Sequence, residues 1–145
     1  MIIGVMGGGS ASPQDMEAAT KAIQEQIMKA PVPVEVAQAI LKAYESLEAK
    51  TRKHVPVAMR STAVGEDTEA SFAGQYATVL NVGRNAILDA YKTVLASKYS
   101  PRAILYRMRY GLDDQATPMC VAGIVMIDAR ASGVLYTVDP SRFRD

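Results

Sequence analysis

Val55-Pro56-Val57-Ala58-Met59 is a short apolar run, partly β-branched, that interrupts a chain whose preceding residues repeat with helical period. It predicts a strand, and Tyr76 to Val82, bounded by turn residues like the first run, predicts a second. Between them Arg60 to Gln75 is too long for a tight hairpin and poor in core-forming residues, so it reads as a long loop that needs a reason. Upstream, Ser12-Pro13-Gln14-Asp15 supplies a capping hydroxyl, a proline for the first turn and a carboxylate for the positive end of the helix dipole. Met16, Ala19, Ile23 and Ile27 then follow at helical spacing, predicting a helix over 13–29. Pro31 and Pro33 end it and open a second helix, with Ala37, Ile40, Leu41, Tyr44 and Leu47 as its core stripe; the two are expected to pack as a hairpin. Downstream, Gly83 to Ser97 is helical, and Ser100-Pro101 starts a further helix that Gly111 should stop. Met119 to Ile127 and Gly133 to Val138 read as a closing β-hairpin. The resulting class is α+β, a mixed or antiparallel sheet with flanking helices, over residues 13–145, with 1–12 as an N-terminal extension or linker.

At 145 residues and 49% hydrophobic, the chain is long enough to bury one core. Sixteen Lys and Arg against 15 Asp and Glu leave a formal charge of +1, which offers no field for gathering nucleic acid or an anionic membrane. No run approaches the roughly 18 apolar residues of a spanning helix, and a cytoplasmic setting is expected. One cysteine and one histidine exclude a disulfide framework and a Cys/His zinc site within the chain. Cys120, inside Met119-Cys120-Val121-Ala122, is expected to be a buried thiol without a chemical role, and His54 an exposed or capping side chain. Arg102, Arg107 and Arg109 read as a solvated helix face.

The chemistry concentrates at the predicted loop. Arg60 leaves the end of the first strand, where its guanidinium offers a planar fork to a phosphate, and Ser61, Thr62 and Ser71 add hydroxyls. Glu66, Asp67 and Glu69 outnumber that one cation. Such acids make sense if Mg²⁺ takes part, if one of them orients Arg60, or if they form a solvated loop face. Nucleotide binding and a purely structural loop both fit these residues.

Val57-Ala58-Met59-Arg60-Ser61-Thr62-Ala63, then Glu66-Asp67, then Ala70-Ser71-Phe72-Ala73-Gly74-Gln75, with Ser132 to Pro140 after them, resemble the phosphoenolpyruvate synthase and pyruvate phosphate dikinase family. The resemblance covers residues 17–140 and implies part of an ATP-grasp-like nucleotide-binding domain, often called the PEP/pyruvate-binding domain. In that family ATP with Mg²⁺ phosphorylates a histidine on a mobile domain, which carries the phosphate to pyruvate. It implies that Arg60 touches the ATP phosphates, that Ser61 and Thr62 line the same pocket, and that Ser71, Ala73, Gly74 and Gln75 close over the phosphates. It assigns no catalytic residue to this chain. The sequence departs from the family pattern in having no G-G-K-G lysine before Lys21, Thr62 for the commoner second serine, and Ile124 where relatives carry glutamine. The expectation is the nucleotide-binding part of a phosphotransferase, partnered by the remaining domains of a dikinase and not turning over alone. The alternative is a noncatalytic interaction or regulatory module on a degenerate scaffold.

Overall fold

The computed structural model describes residues 12–63, 76–115, 117–135 and 137. They form α1 (Pro13–Lys29), α2 (Val34–Lys50), β1 (Val57–Ala63), β2 (Thr78–Val82), a 3₁₀ turn (Arg84–Ala86), α3 (Ile87–Ser97), α4 (Pro101–Arg109) and β3 (Met119–Val125). The strands make an antiparallel sheet of order β2-β1-β3, and the class is α+β as expected.

Local chemistry sets the helix starts. The Ser12 hydroxyl accepts from the Asp15 N–H at 3.2 Å, and the Asp15 carboxylate accepts from the Ser12 N–H at 3.1 Å, a reciprocal capping box. The Ser12 hydroxyl, ahead of its N–H, holds the Asp15 carboxyl below its usual 3.8. This stabilisation is present above the unfolded carboxyl's range and is lost as pH falls through the lowered value. Acid titration followed by Cα chemical shifts is expected to fray the first turn of α1, and Asp15→Asn to remove the pH dependence of that fraying. At α4, Ser100 Oγ accepts from the Ala103 N–H at 3.2 Å and Pro101 fills the first turn. Gly111, at φ 61°, ends it with left-handed backbone, and the Leu112 N–H donates to the Arg107 carbonyl at 2.9 Å.

One face of the sheet carries the core. Val57 and Met59 of β1 pack with Tyr44 of α2, Val82 of β2, and Ile87, Ala90 and Val94 of α3. Tyr44, 1% exposed, donates its hydroxyl to the Val55 carbonyl at 2.8 Å and so pins α2 to the entry of β1. On the β2 side Val57 pairs with Val82 but Met59 with Val79, so β2 carries one extra residue. Asn81 absorbs it at φ 56°, a left-handed value that asparagine tolerates.

Several expectations need correction. The first two helices do not form a packed hairpin: α3 lies against both, while α1 and α2 barely touch. Gln24 Nε2 donates to the Ala96 carbonyl at 3.2 Å and Lys92 Nζ to the Met28 carbonyl at 2.8 Å, which ties α1 to α3. The first strand continues to Ala63, because β3 pairs with it residue by residue from Val57↔Val125 to Ala63↔Met119. Arg60 is therefore inside a strand and not at its end. No strand forms over 128–135, where Val134 and Leu135 are exposed; Tyr136 and Val138 lie outside the described residues. Arg107 is 5% exposed and Cys120 is exposed, the reverse of what their neighbours in sequence suggested. Among the described residues no helix is long and apolar enough to cross a membrane.

Candidate functional site

A strand turns successive side chains to opposite faces, so β1 sorts its residues by parity. Val57 and Met59 enter the core, and Ser61, half-buried beside Val121, follows them. Ala58, Arg60 and Thr62 take the opposite face, on which Arg60 and Thr62 are exposed and Ala58 is buried. Across that face Arg60 pairs with Ala122 of β3 and Thr78 of β2, and Thr62 pairs with Cys120. Small neighbours on both sides leave the exposed guanidinium room to meet a ligand.

Two other arginines are committed to structure. Arg84 donates to Glu45 at 2.6 Å and lies 4.0 Å from Glu48, and Arg107 lies 3.6 Å from Asp114. Among the described residues no carboxylate pairs with Arg60. Its charge is thus free, within that set, to attract an anion: two unit charges about 4 Å apart attract by roughly 4 kcal/mol at an effective dielectric near 20. Toward the start of β1 the face turns apolar, with buried Ala58 opposite half-exposed Ile124. A ligand with a charged end and a flat apolar end would lie along β1.

Of the residues singled out in the sequence, Arg60 and Thr62 share the open face, while Ser61 sits on the other. Glu66, Asp67, Ser71, Ala73, Gly74 and Gln75 lie outside the described residues. Among the described residues there is no group of three or more His, Cys, Asp or Glu side chains able to hold a metal ion. The described residues therefore do not fit a protein-built Mg²⁺ site. His54 is exposed at the entry of β1, at φ 55°, with its backbone N–H donating to Glu48 Oε1 at 2.6 Å. Thr78, Cys120 and Ala122, which the structure places beside Arg60 and Thr62, are not among the candidate residues that the sequence reading singles out. The parity of Met119-Cys120-Val121-Ala122, with Met and Val on the core face, was the signal that would have turned Cys120 outward.

A family model described as "Pyruvate phosphate dikinase, AMP/ATP-binding domain" matches residues 9–145. The chain is 37% identical over 134 residues to a phosphoenolpyruvate synthase of Aeropyrum pernix, covering 90% of this chain and 16% of that protein. It is 39% identical over 131 residues to a phosphoenolpyruvate synthase of Aquifex aeolicus, covering 87% and 15%. A rifampicin phosphotransferase of Bacillus cereus is 40% identical over 123 residues, covering 83% and 14%. The chain therefore spans about one sixth or less of the length of these relatives.

Proposed function

The chain belongs to the pyruvate phosphate dikinase AMP/ATP-binding domain family, and from that premise we propose that it binds ATP along the open face of the sheet, phosphates toward Arg60 and Thr62. The observation that carries this reading is the placement of Arg60: exposed, mid-strand, flanked by small side chains and without an acid among the described residues. A guanidinium in that setting offers two parallel N–H donors to phosphate oxygens, and Thr62 adds a hydroxyl one strand repeat away. The base would lie over exposed Ile124 at the apolar end of that face.

The chain's part is to hold the phosphoryl donor in an ATP-grasp-like manner, with Mg²⁺ accompanying the nucleotide. Phosphate would then pass through a histidine other than His54 to pyruvate, as in a pyruvate, water dikinase. The similar identity to phosphoenolpyruvate synthases and to a rifampicin phosphotransferase supports a donor-side role, because the acceptors in those names differ and the donor part is what they can share. We assign no catalytic residue to the chain. The segment with Ser71, Ala73, Gly74 and Gln75 is proposed to close over the phosphates, with Glu66 and Asp67 orienting Arg60 or meeting the metal. A cytoplasmic setting goes with this use of ATP.

Cys120 makes the reading testable without any turnover. Its exposed thiol stands opposite Thr62. A maleimide is expected to label it to completion in the folded protein, and saturating ATP to slow labelling at least several-fold. Labelling that is indifferent to millimolar ATP would contradict the proposal.

A further inference from the structure

In β3, Met119, Val121 and Val125 are half-buried, and Met119 and Val121 pack against the core, so the register of the strand decides which side chains reach the other face. A one-residue slip would turn Cys120, Ala122 and Ile124 toward the core and Met119, Val121 and Val125 to the other face. Yet Ala122 and Cys120 must sit beside Arg60 and Thr62 for the open face to have its observed shape. Among the described residues β3 has a partner strand only on its β1 side, so the segment that enters it at Met119 bears directly on how firmly that register is held.

The segment entering β3 holds an ionic cluster outside the nucleotide face. Lys98 and Arg107, 9% and 5% exposed, converge on Asp114 from the end of α3 and from α4. Lys98 Nζ donates to the Asp114 carbonyl at 2.9 Å and lies 3.0 Å from Oδ1. Arg107 Nη2 lies 3.6 Å from the same oxygen, and its Nη1 donates to the Lys98 carbonyl at 2.7 Å. The Tyr99 hydroxyl donates to Oδ2 at 3.2 Å, and both cations stand near its ring, 5.7 and 5.9 Å from the centroid. Burial, then the charge of Asp114, pushes the Tyr99 phenol up, so it remains a donor at neutral pH. Thr117 Oγ1 donates to the Asp113 carbonyl at 3.0 Å and closes the turn.

We infer that Asp114 is a positioning residue for the Arg60 site: by drawing Lys98, Tyr99 and Arg107 onto the segment before β3 it sets the register in which β3 flanks β1. Two buried cations share this one carboxylate, so neutralising it loosens the whole attachment rather than one bond. This inference rests on the nucleotide reading for its functional consequence and not for its structural one.

The test uses the full chain and two readouts: hydrogen exchange of the amides that join β1 to β3, and ATP affinity. In Asp114→Asn, exchange between β1 and β3 is expected to speed up at least about tenfold while that between β1 and β2 holds, a local opening rather than a global one. ATP affinity is expected to fall at least about fivefold with it, and Asp114→Glu to restore most of both. If Asp114→Asn does not fold, Tyr99→Phe, which removes only the hydroxyl bond, is expected to speed the same amides about threefold. Unchanged β1–β3 exchange in whichever of these variants folds would overturn the inference. If wild-type protein fails to bind ATP, the nucleotide reading falls alone, because the exchange experiment still decides the role of Asp114.

Discussion

Urea denaturation of Tyr44→Ala is expected to show a loss of about 3–5 kcal/mol, the range for removing a buried aromatic ring from a core. The ring is 1% exposed within the cluster that joins α2 and α3 to the strands, so its removal leaves a cavity that neighbours on three elements cannot all fill. The same change strands the Val55 carbonyl, which now accepts from the Tyr44 hydroxyl at 2.8 Å just before β1 begins. Since domains of this size are stable by only about 5–15 kcal/mol, most of the margin would go. Tyr44→Phe separates the two contributions: it keeps the packing, loses the hydrogen bond and should cost about 1–3 kcal/mol. A midpoint shift worth less than about 1 kcal/mol in Tyr44→Ala would mean that α2 does not lock β1 in place.

The second large effect is on binding. Arg60→Ala is expected to weaken ATP affinity by about ten- to a hundredfold, since charge-assisted hydrogen bonds contribute about 1.5–3 kcal/mol and each 1.4 kcal/mol is a factor of ten. Stability should change by no more than about 0.5 kcal/mol, because the side chain is exposed and among the described residues has no acidic partner to lose. Arg60→Lys keeps the charge but not the fork, and should fall between the two. Calorimetric titration extending to millimolar ATP reads all three proteins. Equal affinities would remove Arg60 from the site even if the protein binds ATP elsewhere.

Features fixed by neighbouring residues were legible from the sequence. Ser12 and Asp15 announce α1, Ser100-Pro101 announces α4 and Gly111 ends it, because each acts within one turn. The core stripe of Ile40, Tyr44 and Leu47 followed from helical period alone. What escaped is set across the chain. Arg60, Ser61 and Thr62 look like loop residues and become strand only because Ala122, Val121 and Cys120 lie opposite them. Arg107 resembles a solvated cation until Lys98 and Asp114 surround it, although its position four residues after buried Ala103 was a hint. The apolar run through Val134 and Leu135 has strand propensity, but among the described residues no strand pairs with it. The candidate site is proposed from a motif through resemblance, whereas the parity that puts Thr62 with Arg60 and Ser61 away from both needed the register.

That parity gives the most direct test. An ATP titration of isotope-labelled protein, followed by backbone and side-chain NMR, should produce saturable shifts in the Arg60 guanidinium, the Thr62 and Thr78 methyls and the Ala122 methyl, all on one face. Saturable shifts confined to α1, α2 or the core face of the sheet, or no saturation up to millimolar ATP, would contradict a nucleotide site on the open face.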